Sequence, residues 1–142
     1  MQKSTFDYAF ISCVKMKSEN ATLAKDLYIS PLFKKAYAYA MKYVDENKIF
    51  ILSAKYGLLP ALAPAPPLYE MTLKNKSKEQ RKLWAYNIYL EMQKQNISTE
   101  SKILILAGME YREFICRFLP NSFCPVTGLS IGRMLKFYNA QI

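Results

Sequence analysis

Polar residues follow three short apolar runs of the chain, and their types suit the binding of an anion. Lys15 and Lys17 follow the first run, Lys55 the second, and Glu110 and Arg112 the third. A lysine just past the end of a strand can hold a phosphate as a point charge. Backbone amides in the turn after a strand can also face an anion. The sequence therefore predicts an anion site where these three runs end.

Acid–base chemistry in this chain has to proceed without histidine, because the sequence contains none. Carboxylates, lysine, tyrosine and cysteine are the groups that remain. Glu70 follows a proline-rich segment, where a carboxylate suits acid–base catalysis or the stabilisation of a positively charged sugar. We expect Glu70 and Lys55 to be catalytic, with Glu110 as the alternative carboxylate. An ordinary solvated glutamate explains Glu70 equally well.

Aromatic and sulfur side chains also lie near the predicted site. Tyr28, Tyr56 and Tyr69 fall in predicted loops, where rings can stack on bases. Cys13 ends the first apolar run and joins the predicted ligand-binding residues, but the three cysteines match no zinc spacing. The four glycines form neither a P-loop nor a dinucleotide-binding fingerprint. We therefore expect no metal and no cofactor.

Elements of alternating type must position these residues. Apolar runs predict three strands, at Tyr8–Val14, Lys48–Ser53 and Lys102–Ala107, and a short fourth at Phe123–Val126. Helices are predicted from Pro31 to about Asp45, from Ser77 to about Gln95, after Gly108, and after Ser130. This order predicts a single α/β domain over residues 1–142. It has three layers, with a mostly parallel sheet of three or four strands and helices on both faces.

Two further features concern the segments around the predicted site. Gly57 interrupts the chain, and the segment Pro60–Pro67, which holds four of the seven prolines, is predicted to be a semi-rigid loop. Tyr69 and Glu70 follow it as a lid or a wall of the site. The inward faces of the second and last helices are predicted to carry Leu83, Tyr86 or Asn87, and Leu90, and then Ile131, Met134, Leu135 and Tyr138.

Small residues end the first three predicted strands, at Ser12-Cys13, Ser53-Ala54 and Ala107-Gly108. Ligands of open parallel sheets bind outside the carboxyl ends of the strands. Small side chains there leave room for a ligand, although they also let helices pack closely. We accordingly place Ser12, Cys13, Ser53 and Gly108 among the ligand-binding residues.

The net charge of +9 favours a polyanionic partner, a nucleotide or a nucleic acid. An ordinary basic surface is the alternative, because 16 of the 20 basic residues are lysines. No apolar run approaches the ~20 residues of a membrane span, and no signal-peptide pattern opens the chain. We expect a cytoplasmic location and no membrane partner; the oligomeric state stays open.

Several short motifs carry a resemblance to a known family; they are Ser12-Cys13, Lys25–Tyr28, Ser30–Phe33, Ser53–Leu59 and Leu129–Gly132. Through them the chain resembles a bacterial and phage domain family of unknown function, itself similar to YaaA-like peroxide-stress proteins. The resemblance implies DNA binding and protection from oxidative damage. It implies a site of Ser12, Lys15, Tyr28, Ser30, Lys55, Tyr56, Tyr69, Glu70 and Arg133. An acidic stretch is expected at 61–67, where this chain has alanine and proline.

Two classes of function fit these residues. One is an enzyme that acts on a nucleotide or a nucleic-acid base, as an N-glycosidase or another nucleotide-processing hydrolase. The other is a non-catalytic, protective DNA-binding module of the YaaA-like type, which needs the basic charge and the tyrosines but no carboxylate. A small-molecule enzyme with incidental charge is a third reading. A Glu70 that faces a pocket with Lys55 and Tyr56 favours catalysis, whereas a solvent-exposed Glu70 favours the binding module.

Overall fold

Five strands form one mixed sheet in the computed structural model, which describes residues 5–12 and 18–141. They are β1 (Tyr8–Ser12), β2 (Ile49–Ser53), β3 (Gly57–Pro60), β4 (Ile103–Leu106) and β5 (Ser122–Phe123). Their order across the sheet is β3-β2-β1-β4-β5, and every neighbouring pair except β2 and β3 is parallel. The expected single α/β domain with a mostly parallel sheet is confirmed, but three or four strands was an undercount.

Five α-helices connect or flank these strands within the described residues: α1 (Ala24–Leu27), α2 (Pro31–Ala40), α3 (Lys78–Lys94), α4 (Met109–Arg112) and α5 (Ile131–Gln141). The two predicted caps are present. Ser30 Oγ accepts from the Phe33 amide at 3.2 Å. Ser77 and Gln80 form a reciprocal capping box at the start of α3. These caps satisfy amides that a helix start otherwise leaves unpaired.

The central strands are covered on both faces. All residues of β2 and of β4 are buried, and neighbouring residues of a strand point to opposite faces. Phe10, Ile51 and Ile105 lie on three adjacent parallel strands with no exposed surface. Helix α2 packs against β1 and α5, while α3 packs against β3 and α4. The continuous apolar character of these strands follows from this double cover.

Strand β3 corrects the prediction that Gly57 interrupts the chain and that Pro60 begins a loop. It pairs antiparallel with β2, with Ser53 opposite Gly57 and Phe50 opposite Pro60. Proline is tolerated here because β3 is an edge strand and needs no second partner for that residue. The following segment is also anchored, because three backbone hydrogen bonds join residues 61–65 to residues 22–25, two of them around an antiparallel bridge between Leu23 and Pro64.

The helices depart from the predictions in length and in rotation. Helix α2 ends at Ala40 rather than near Asp45, and α4 is a single turn followed by a 3₁₀ turn at Cys116–Phe118. Helix α3 buries Trp84, Ala85, Ile88 and Met92, whereas the predicted inward residues Leu83, Tyr86 and Leu90 are exposed. The Trp84 indole donates to the Ser53 carbonyl at 2.9 Å, which fixes the rotation of α3. Ile131 is exposed as well, although Tyr138 is buried as predicted.

A half-buried carboxylate joins α3 to the edge strand. Glu91 Oε2 accepts from the Leu58 amide at 3.0 Å. Burial raises the pKa of the Glu91 carboxyl, and the bond from the Leu58 amide partly opposes that shift. Gly57 lies directly beneath this carboxylate with φ +72°, and a Cβ built there overlaps Glu91 Oε1. Glycine is required at this position both for the backbone conformation and for the approach of Glu91.

Replacing Gly57 with alanine tests both requirements. The left-handed backbone costs a non-glycine residue roughly 1–2 kcal/mol, and displacement of Glu91 costs about 1 kcal/mol more through the lost hydrogen bond. Gly128→Ala is the matched control, because Gly128 has φ +78° and open space at its Cβ position. Urea unfolding should show a larger loss of unfolding free energy for Gly57→Ala than for Gly128→Ala. Equal losses would mean that Glu91 does not constrain Gly57.

Candidate site at the carboxyl edge of the sheet

The carboxyl ends of three parallel strands lie side by side at one edge of the sheet. The register places Ser12 beside Leu52 and Ile11 beside Leu106, so Ser12, Ser53 and Leu106 end their strands at nearly the same level. Adjacent strands are about 4.8 Å apart, so the three ends span about 10 Å. The predicted strand-end residues are therefore brought together. Cys13 and Lys15 lie outside the described residues.

The strand order defines a position on this edge where ligands of such sheets bind. The chain passes from β1 to its neighbour β2 on one side, and from β2 across β1 to β4 on the other. Strands that follow β1 thus lie on both sides of it, and open sheets of this kind bind ligands in the crevice outside the carboxyl ends of the two strands at that switch point, here β1 and β4. Ser12 and Gly108 flank that crevice, and Gly108 is the residue before α4. Among the described residues, a Cβ built on Gly108 meets only Glu110 Oε1, at 3.7 Å.

Ser53 is the centre of a buried hydrogen-bond network beside this edge. Its hydroxyl donates to the Tyr69 hydroxyl at 3.0 Å and accepts from the Tyr56 amide at 2.9 Å. The Tyr69 and Tyr28 hydroxyls are 2.8 Å apart. Ser53 is fully buried, and Tyr28 and Tyr69 are nearly so. Two of the predicted stacking tyrosines therefore support the wall of the site and do not offer an open ring face.

Tyr56 and Lys55 form the exposed part of the same cluster. The Tyr56 ring is half-buried and meets the Tyr69 ring edge-on, with centroids 5.2 Å apart. Its hydroxyl donates to the Pro67 carbonyl at 2.8 Å. Lys55 is exposed, with its Nζ 5.4 Å from the centre of the Tyr56 ring. Because Tyr69 is buried and bonded, the segment it belongs to forms a wall of the site rather than a lid.

The remaining predicted residues are placed less favourably for chemistry. Glu70 is exposed, and no hydrogen bond or ion pair to it occurs within residues 5–12 and 18–141. Ser30 is buried as the cap of α2, so its hydroxyl already has a structural role. Arg133 is exposed in the first turns of α5, and the contacts of the described residues do not join it to the tyrosine cluster. Glu110, by contrast, is half-buried next to Gly108.

A cavity of about 250 Å³ lies on the other side of Tyr28, lined by Lys25, Asp26, Tyr28, Ile29, Phe33, Lys34 and Tyr37. Glu46 binds two of these lining residues: it accepts a hydrogen bond from Lys25 Nζ at 2.9 Å and one from the Tyr37 hydroxyl at 2.6 Å. The bond to Glu46 raises the pKa of Lys25, and burial together with the same carboxylate raises the pKa of Tyr37. Sequence reasoning missed this cavity; the Lys25–Tyr28 motif was its only signal.

The described residues contain neither a metal-ligand cluster nor a membrane-spanning helix. No group of three or more histidine, cysteine, aspartate or glutamate side chains in this part of the chain is arranged to hold a metal ion. No helix among the same residues has the length and apolar character needed to cross a membrane.

Comparison with known proteins identifies a family but no activity. Residues 8–140 match a family of unknown function, DUF6884, and the chain belongs to that family. Neither the curated proteins nor the solved structures include a significant match. The family match covers all five strands and the tyrosine cluster, so the site described above lies wholly inside it.

The Ser53–Tyr69 network can be tested by removing single hydroxyls. Tyr69→Phe deletes the bonds to Ser53 and Tyr28 while keeping the ring, at a cost of about 1–3 kcal/mol for buried partners. Tyr56→Phe is the control, since its bond to the Pro67 carbonyl is exposed and its loss should cost less than about 1 kcal/mol. Chemical denaturation measures both. A Tyr69→Phe protein no less stable than Tyr56→Phe would show that the network does not hold the wall.

Proposed function

We propose that this protein binds the phosphate of a nucleotide or nucleic acid at the carboxyl edge of its sheet, beside the β1–β4 crevice. The strand order β3-β2-β1-β4-β5 is the observation that carries the proposal, because it makes β1 and β4 the strands outside whose carboxyl ends such sheets bind ligands, at the level of Ser12 and Gly108. The residues that end these strands are small, a feature that suits the close approach of a phosphate to backbone amides.

The charge of the molecule supports an anionic ligand. The net charge is +9, and ion pairs among the described residues involve only Lys25 with Glu46 and Arg81 with Glu113. Lys55 takes part in neither pair and lies exposed one residue beyond Ala54, close to the Tyr56 ring. A phosphate at the crevice and a base against the exposed side of Tyr56 would use both groups. The resemblance to YaaA-like proteins points to the same class of ligand.

Binding is favoured over catalysis by the position of Glu70. A carboxylate that stabilises a sugar cation has to lie close to the reacting carbon, and it works best away from water. Glu70 is exposed, which is the arrangement that favours a binding module. Cleavage of an N-glycosidic bond is the second candidate, and Glu110 supports it better, because this carboxylate is half-buried beside Gly108 at the crevice.

Lys55→Ala tests the binding proposal. The loss of one phosphate contact should weaken binding of a labelled oligodeoxythymidine several-fold and lower the slope of log affinity against log salt by about 1. Lys102→Ala is the matched control, because it removes the same charge from the opposite, amino edge of the sheet just before β4. Fluorescence anisotropy at about 50 to 200 mM salt measures both variants. Equal weakening by the two substitutions would indicate diffuse charge attraction and contradict a site at the carboxyl edge.

The catalytic alternative is tested with glutamine variants of the two carboxylates. If the protein cleaves glycosidic bonds, Glu110→Gln should reduce release of free base by about 100-fold or more, because removal of one electrostatic stabiliser costs that much. Glu70→Gln should have a smaller effect. Base release from nucleosides, nucleotides and modified DNA is followed by chromatography. Absence of turnover by the unaltered protein on all of them removes this candidate and leaves the binding proposal intact.

A further inference from the structure

A second surface with distinct chemistry lies on the outer side of α3. A groove of about 330 Å³ runs between α3 and the segment that follows α4, lined by Lys82, Ala85, Tyr86, Tyr89, Phe114, Arg117 and Phe118. None of these residues belongs to the site at the carboxyl edge. No carboxylate is among them, so the groove combines aromatic rings with positive charge only.

The aromatic side chains of the groove are arranged as a platform. The Tyr86 and Tyr89 rings are nearly parallel, with an interplanar angle of 23° and centroids 6.2 Å apart. Tyr89 in turn meets the Phe118 ring edge-on at 5.6 Å. Tyr86 is 55% exposed, although other apolar side chains of α3 are buried in the core. Its free face is therefore available to a planar ligand group.

Cations also line the groove, around the Phe114 ring. Arg117, Arg81 and Lys82 lie 4.7, 5.6 and 5.7 Å from the centre of that ring. Glu113 neutralises Arg81 in an ion pair of 2.6 Å. The two ion pairs within the described residues leave Lys82 and Arg117 out, and both are exposed. Two positive charges thus line the same groove as the stacked tyrosine rings, a combination used to bind single-stranded nucleic acid.

We propose that this groove binds unpaired bases of single-stranded nucleic acid, which stack on Tyr86 while Lys82 and Arg117 contact the adjacent phosphates. The proposal rests on the proposed function and extends it to a polymeric ligand.

Charge selects this occupant over two others. A second copy of the chain brings its own Lys82 and Arg117 to the interface, and like charges there repel. A helical protein partner would use the most exposed aliphatic side chain of α3, Leu83, which is 62% exposed but does not line the groove. A single-stranded nucleic acid presents bases, which stack on aromatic rings, and phosphates, which bind cations. The groove contains both kinds of side chain.

The test uses a labelled oligodeoxythymidine of about 12 nucleotides, a typical single-strand site size, and an abasic strand of equal length. Tyr86→Ala should weaken oligodeoxythymidine binding about 5- to 150-fold, the range for one stacked base. Tyr86→Phe keeps the ring and should bind normally, as should Leu83→Ala, the matched control on the same helix. The abasic strand should bind the unaltered protein and Tyr86→Ala equally. Circular dichroism checks that each variant folds.

Other results would overturn the groove proposal. Unchanged oligodeoxythymidine binding by Tyr86→Ala, or equal loss with the abasic strand, excludes base stacking at Tyr86. A polyglutamate peptide that binds as tightly, with the same dependence on Tyr86, would assign the groove to acidic proteins. A dimer in sedimentation that Tyr86→Ala dissociates would assign it to a second copy.

These measurements distinguish a failure of the groove proposal from a failure of the crevice proposal. If ATP and oligodeoxythymidine both lose affinity with Lys55→Ala but not with Tyr86→Ala, the crevice proposal stands and the groove proposal fails. If oligodeoxythymidine binding depends on Tyr86 and not on Lys55, the groove stands and the crevice assignment fails.

Discussion

The end of β2 is tied to three other segments through a single residue. The Ser53 carbonyl accepts from the Trp84 indole, and its hydroxyl bonds to the Tyr56 amide and the Tyr69 hydroxyl. These contacts set the rotation of α3, the turn into β3, and the position of the segment that follows the prolines. Because Ser53 is fully buried, each hydrogen bond forms away from competing water, and the loss of one leaves a buried polar group without its hydrogen-bond partner. Both the crevice wall and the outward face of α3 therefore depend on this residue.

Local signals predicted the parts of the fold that local physics determines. The three central strands were predictable because strands covered on both faces are apolar throughout. The starts of α2 and α3 were predictable because each cap joins a serine to the residue three positions further along the chain. Strand β3 was missed, since Gly57 and Pro60 are typical of loops and only pairing with β2 makes them a strand. The inward face of α3 was wrong because this helix carries two apolar stripes, and a contact 31 residues away selects one.

The candidate site was predictable in position more than in detail. Small residues at three strand ends indicated the correct edge, and parallel pairing aligns them there. The burial of Tyr28 and Tyr69 was not predictable, since their hydroxyls meet across 41 residues of chain. Glu70 looked suited to catalysis only by its position after the prolines, yet the backbone bonds between residues 61–65 and 22–25 leave its side chain in solvent. The cavity at Lys25 depends on Glu46, which no motif connected to it.

The two margins of the sheet bear on how the protein behaves at high concentration. An open strand margin is a template on which another chain can add and start a fibril. At one margin, Glu91 occupies the Leu58 amide of β3, and Pro60 offers no amide at all. At the other, β5 is only two residues long. Neither margin offers a continuous row of amides, so a basic protein with several exposed leucines is protected at both sides of the sheet from the addition of another strand.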